Sequence, residues 1–265
     1  MSATYLPGPL AAIDVAIRRF ISFLQGMTFL FGHAVAGLFR RPFYGREYIT
    51  HMNELGLASA PVIGLTGLVT GAVLALQASI SLEQFGAISM LGNALINTVV
   101  RELGPIFAGL LVAGRVGAGI TSQIGAMRVT SQIDALTALG TDPVKKLVVP
   151  RVVALTIALP LLTIYICLLA TVGGWILARL ALNFSTHYYW ASIIESLRFV
   201  DIASGMTKAA VFGFLISMIA CYKGLQTEGG THGVGQATTQ TVVTASLSIL
   251  VANFFLTQLF YTMLS

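Results

Sequence analysis

The chain has 265 residues, of which 56% are hydrophobic and only 9% charged, and its mean hydropathy is +0.85. A water-soluble domain carries roughly 25% charged residues to hydrate its surface, so this composition excludes a soluble globular protein and makes lipid the solvent for much of the chain. The formal net charge of +5 is not a nucleic-acid footprint, because the basic residues flank apolar runs, where they serve as topology signals.

An ionisable side chain at the bilayer centre costs about 3 kcal/mol on insertion scales, so charge-free intervals mark candidate spans, and about 20 residues suffice to cross. The first interval, Phe20–Phe39, has Arg18 and Arg19 before it and Arg40, Arg41 and Arg46 after it. A crossing there would put one basic cluster outside. The pattern therefore predicts an amphipathic helix in the cytoplasmic interface, within an N-terminal region 1–54 that precedes a transmembrane domain 55–265. The stretch is too long for a cleavable signal and has no small-x-small cleavage site.

Ala60–Leu82 is the first predicted span. Gly104–Gly125 is the second, interrupted by Arg115 and carrying small residues at four-residue spacing: Gly109, Ala113, Gly117, Thr121 and Gly125. Such a column lets another backbone approach closely, either inside one subunit or at the centre of an assembly. Arg115 needs a partner or a route to the headgroups. Further spans are expected between Arg151 and Arg179 (with Pro160 inside), around Ala209–Tyr222, and at Thr241–Leu264. Five crossings put the N-terminus in the cytoplasm, the 83–100 loop and the 180–200 segment outside, and the 126–150 and 224–240 segments inside. His187, Tyr188, Tyr189 and Trp190 form an aromatic belt on the outer side. The sequence thus specifies an all-α integral membrane protein of about five transmembrane helices.

No enzyme signature is present. His33, His51, His187 and His232 lack metal-ligand spacing and a nucleophile partner, and Cys167 and Cys221 lie in apolar runs as small packing residues. Neither a metal nor a cofactor is expected. The glycine-rich stretch from Gly229 to Gly235 lacks the lysine and Ser/Thr of a phosphate-binding loop and reads as a tight cytoplasmic turn.

The inner segment after Gly125 is more informative. Ser131 and Asp134 have the spacing of a capping box. Ile133, Leu136 and Leu139 recur every three residues, and Gly140 is a natural stop. Asp142-Pro143 then opens another helix. The prediction is a short amphipathic cytoplasmic helix, resting on the membrane surface or filling a groove on a partner protein.

Several blocks resemble a known family. Arg101-Glu102-Leu103-Gly104-Pro105, Ala113-Gly114-Arg115-Val116-Gly117-Ala118, Gln132-Ile133-Asp134-Ala135-Leu136, Ala138-Leu139-Gly140 with Asp142-Pro143, Val149-Pro150-Arg151, and Gly229-Gly230, Gly233-Val234-Gly235 with Ala237-Thr238-Thr239 are similar, in order and spacing, to the MlaE/YrbE permeases. The resemblance covers about residues 55–260.

It implies a homodimeric permease of a bacterial inner-membrane ABC transporter, moving phospholipid or another hydrophobic molecule. The implied partners are cytoplasmic ATPase subunits, a periplasmic MCE-domain protein and a small cytoplasmic STAS-domain protein. Gln123, Ser131 and Asn253 depart from the family, standing where many relatives carry acids.

On this reading Ser131, Gln132, Ile133, Asp134, Leu136 and Leu139 couple to the ATPase, with Ile133, Leu136 and Leu139 as apolar anchors. Arg101, Glu102 and Arg115 lie on the substrate path or gate it, and Gly109, Ala113 and Gly117 pack helices. A lipid cavity is expected at the dimer axis, lined by Ala60–Leu82, Gly104–Gly125 and Thr241–Leu264. A secondary transporter, a channel and a non-transporting scaffold are the alternatives. The first two need more intramembrane carboxylates or broken helices than the spans supply.

Overall fold

The computed structural model describes residues 9–38, 52, 56 and 59–264. Phe39, the basic cluster Arg40, Arg41 and Arg46, His51 and the boundary at residue 54 lie outside the described residues. All regular structure in the described residues is helical: α1 (Pro9–Leu38), α2 (Ala60–Gln84), α3 (Ile88–Val129), α4 (Gln132–Ala138), α5 (Val144–Leu180), α6 (Thr186–Ser196), α7 (Phe199–Leu225) and α8 (Gly230–Leu264). Five of these, α2, α3, α5, α7 and α8, are long and apolar enough to cross a membrane. The protein is an all-α, multi-pass membrane protein.

Two helices are longer than their charge-free intervals suggest. The expected outer loop 83–100 is largely helix, because α3 begins at Ile88 after a turn in which Gly86 has φ +65°. Its first turns project beyond the charge-free core and pack against α6. Likewise the expected inner loop 224–240 contracts to a short turn. Gly229 and Gly230 supply the positive φ, and Gly233 and Gly235 already belong to α8. Charge marks where a helix leaves the hydrocarbon, not where it ends.

Glycine sets the helix spacing. A Cβ on Gly71 would run into the backbone of Ala170, and one on Gly173 into the backbone of Leu68, so α2 and α5 touch main chain to main chain. In lipid this close approach supplies dispersion contact where no hydrophobic drive exists between spans. The column on α3 is used in the same way inside the subunit. Gly109 faces Ile249 and Phe212, Gly117 faces Ile216 and Thr241, and Gly125 faces Thr227. Thr121 Oγ1 lies 2.9 Å from Thr241 Oγ1 and 3.1 Å from the carbonyl of Ala220. The small residues therefore join α3 to α7 and α8 of one chain. Cys167 and Cys221 are buried free thiols in this packing.

Helix α1 leans along α7: Phe23 packs edge-on against Tyr222 at the inner end, and Phe31 against Phe214 further in. Leu30 and Ala34 of α1 are buried. Helix α8 is different again, with Val243, Leu247, Leu250, Phe254 and Leu259 exposed on the isolated chain.

Gly71→Val should force α2 and α5 apart and lower the apparent melting temperature of the purified protein, with a loss of roughly 1–3 kcal/mol as for other overpacked cores. Gly235→Ala, where an added Cβ meets nothing within 4 Å, should leave the melt unchanged. Equal melts for the two variants would contradict the close-packing account.

Candidate functional site

Pro105 organises the outer end of α3. It has no N–H, so the carbonyl of Arg101, one turn earlier, receives no helical hydrogen bond from it. The helix relaxes into a wider π turn over Val99–Leu103, with the Gly104 amide donating to Val99 O. The freed Arg101 carbonyl is taken by Lys208 of α7, whose Nζ donates to it at 2.9 Å.

Lys208 is 2% exposed and donates three hydrogen bonds, the other two to Glu102 Oε1 at 2.7 Å and Thr257 Oγ1 at 2.9 Å. An ammonium has three N–H groups, and every one is satisfied. Glu102 also accepts from Asn253 Nδ2 at 3.0 Å and from Thr257 Oγ1 at 3.1 Å. Beside this centre Arg101 pairs with the buried Asp201 at 2.7 Å. One oxygen each on Asp201 and Asn253 is buried without a hydrogen-bond partner, so the network keeps polar capacity.

These residues border a cavity of about 450 Å³ whose walls include Arg101, Arg198, Lys208, Val200, Phe260 and Tyr261. Three cations (Arg101, Arg198, Lys208) face two carboxylates (Glu102, Asp201), leaving one surplus positive charge. An anionic head beside an apolar wall matches this arrangement. Within one chain the walls come from α3, α7 and α8. Within the chain Ala60–Leu82 packs on α5.

Sequence reasoning found Arg101 and Glu102 but missed Lys208, Asp201 and Thr257, and it read Asn253 only as a departure. The available signal was Lys208 itself, the one charge inside the apolar stretch between Asp201 and Lys223.

The short helix α4 forms as expected but is held differently. Ser131 adopts φ 58° and makes no side-chain cap, so the predicted capping box is absent. Asp134 instead pairs with Arg128 at 2.7 Å, which ties α4 back to the end of α3. Ile133 is buried in the subunit's own core and Leu136 packs against it, so neither is a free docking anchor. Leu139 is 80% exposed, and Gln132 and Ala135 are exposed beside it. The stop at Gly140 is borne out: φ is +72°, and Thr141 N donates to Leu136 O at 3.0 Å. Asp142 then caps α5 through Oδ1, which accepts from the amides of Val144 and Lys145.

Elsewhere, Arg151 is buried, donating to Leu147 O at 2.7 Å and to Gln123 Oε1 at 3.4 Å, so the neutral Gln123 still serves as an acceptor. In α6 the Tyr189 hydroxyl donates to Thr171 O at 2.9 Å, and burial pushes its pKa up. Arg115 is exposed on the chain's surface. Among the described residues no group of His, Cys, Asp and Glu could hold a metal ion.

Comparison with known proteins agrees with this architecture. The family model for "Permease MlaE" matches residues 48–259. The chain is 42% identical to a "Probable ABC transporter permease protein" of Rickettsia conorii, covering 92% of this chain and 95% of the relative. It is 36% identical to a protein of the same printed name from Synechocystis, covering 90% and 89%. It is 34% identical to the "Intermembrane phospholipid transport system permease protein MlaE" of Haemophilus influenzae, covering 80% and 82%. Five spans, a short helix between the second and third, and family blocks along most of its length place this membrane permease subunit in the MlaE permease family.

Proposed function

We propose that this permease moves phospholipid between the bacterial inner membrane and a periplasmic MCE-domain protein. It acts as a homodimer driven by separate cytoplasmic ATPase subunits, with a small STAS-domain protein as a further partner. The observation that carries the reading is the outer cavity, where a satisfied Lys208–Glu102 centre and the Arg101–Asp201 pair sit beside Phe260 and Tyr261. A phosphate diester is drawn by the surplus positive charge while its acyl chains lie on the apolar wall. The name of the Haemophilus influenzae relative, a phospholipid transport permease, supports the substrate class.

Arg101 and Glu102 act as the gate in this reading. Arg101 is half exposed and held by Asp201 alone, so it is free to exchange that carboxylate for a lipid phosphate. Glu102 holds Lys208, and displacing it would leave a buried ammonium unpaired. At the inner face, α4 transmits ATPase closure to α3 and α5, which it joins. Leu139 is the apolar contact, with Gln132 and Ala135 flanking it, and the Arg128–Asp134 pair makes α4 move with α3.

Two measurements test these assignments. Thr137→Cys on α4 should form a disulfide crosslink to a cysteine on the ATPase subunit in an active complex, and Leu139→Glu should reduce lipid-dependent ATP hydrolysis by roughly tenfold or more, the scale of an interface hot spot. An active complex in which no ATPase position crosslinks to Thr137→Cys would remove α4 from the coupling role.

At the outer cavity, Lys208→Met alone should destabilise the protein by about 3–5 kcal/mol, since it strands Glu102. The pair Lys208→Met with Glu102→Gln should recover most of the melting temperature but not transport of labelled phospholipid from reconstituted vesicles. Normal transport by the double variant, or by an Arg101→Ala, Glu102→Ala variant that still assembles, would reduce the cluster to a helix anchor.

A further inference from the structure

Arg115 has no partner among the described residues. It lies on the π turn Ala113–Gly117, exposed, with no hydrogen bond or ion pair among the described residues. Its depth is fixed by its neighbours on α3. Gly109 faces Phe212, and Gly117 faces Ile216, so Arg115 lies level with the interior of the apolar Ala209–Tyr222 stretch of α7. It is midway along α3 between Arg101 and Arg128, roughly 20 Å from each at 1.5 Å rise per residue. That is beyond the reach of a side chain snorkelling toward the charged residues on either side of it along α3. Around it the helix surface is bare: a Cβ on Gly114 or Gly119 meets nothing within 4 Å.

A guanidinium at this depth requires an anion or a set of acceptors, and the sequence restricts what can supply one. No charged residue occurs between Ala60 and Leu82 of α2, in α5 between Arg151 and Arg179, or in α8 from Thr241 to Leu264. Among the described residues of the span helices, Glu83 and Asp201 lie near the helix ends, Asp201 paired with Arg101, and Glu102 is already engaged by Lys208, Asn253 and Thr257. A second copy does not change this. A two-fold axis along the membrane normal preserves depth, so the copy's described spans present the same residues at that depth and a second Arg115. No described span therefore supplies a free carboxylate to Arg115.

We infer that Arg115 is a mid-membrane station for the phosphate of a transported phospholipid, with the bare Gly114–Gly119 surface leaving room for the glycerol backbone and the head. The planar fork of arginine matches two phosphate oxygens at once. The station stands between the inner leaflet and the Arg101 cavity. A lipid head crossing the bilayer thus meets cations at two levels rather than one. This inference rests on the permease reading above.

The test places a photoreactive benzoylphenylalanine at Gly119, in the open space beside Arg115. The permease–ATPase complex is then reconstituted in nanodiscs holding equal amounts of phosphatidylglycerol and diacylglycerol. Mass spectrometry of the illuminated protein should show the phospholipid adduct in excess over the diacylglycerol adduct by roughly tenfold, the weight of charge-assisted hydrogen bonds to one phosphate. Arg115→Lys should keep an excess and Arg115→Gln should bring the ratio near one, while millimolar inorganic phosphate should not change it.

Equal adducts in the unsubstituted Arg115 protein would overturn the inference without needing any variant to fold. So would a crosslink to a second copy of the chain in place of lipid, or loss of the phospholipid excess to inorganic phosphate, which would make the site one for a free anion. Crosslinking of Thr137→Cys to the ATPase in the same preparation reports on the permease reading independently. Equal adducts with that crosslink intact refute the station alone.

Discussion

A lysine ammonium in the middle of a membrane helix must be met by oxygen on every side, and meeting that demand shapes the outer half of this protein. Lys208 is placed on α7, but its three acceptors come from α3 and α8: the Arg101 carbonyl, the Glu102 carboxylate and the Thr257 hydroxyl. Pro105 makes the first of these available by withholding an amide, and the π turn around it aims Glu102 at the same point. An uncompensated charge here would cost several kcal/mol. The three helices are therefore locked together at the level where the cavity opens. The network is both a structural clamp and the polar wall of the cavity.

Further in, the clamp is replaced by close packing. Gly71 and Gly173 bring α2 and α5 to backbone contact, and Gly109, Gly117 and Gly125 bring α3 against α7 and α8. Glycine costs conformational entropy in a helix, but in lipid it returns dispersion contact and short interhelical distances. The subunit thus consists of a tightly joined set of spans with one unusually bare surface on α3 and one apolar, largely exposed helix, α8. At the inner end, α4 is fixed by Ile133 in the core and by the Arg128–Asp134 pair. It presents Leu139 outward from this base.

Much of this was legible in the residues. Charge-free runs marked the five spans, because the hydrocarbon tolerates few ions. The column from Gly109 to Gly125 marked a packing face, Gly140 marked the end of the short helix α4, and Asp142-Pro143 marked the start of the next. Helix ends were misjudged where helices run on past the hydrocarbon, as at Ile88 and Gly230, since backbone hydrogen bonding continues there regardless of charge. The role of Ser131 was also misjudged. A capping pattern is local, and the pairing of Asp134 with Arg128 across the turn outcompeted it.

What the sequence by itself determined is the class of the protein, its five spans and the residues too polar for their surroundings: Arg101, Glu102, Arg115 and, unremarked, Lys208. Polarity out of place can be read along one dimension, because it depends only on depth in the membrane. Which of those residues meet could be decided only by the tertiary structure. Lys208 and Glu102 are far apart in sequence and come together because α7 packs against α3 through Gly205 and Val100. The same packing leaves Arg115 facing outward, unpaired among the described residues. Pairing depends on helix rotation and crossing, which are set by side-chain fit between elements and carry no signature in any one of them.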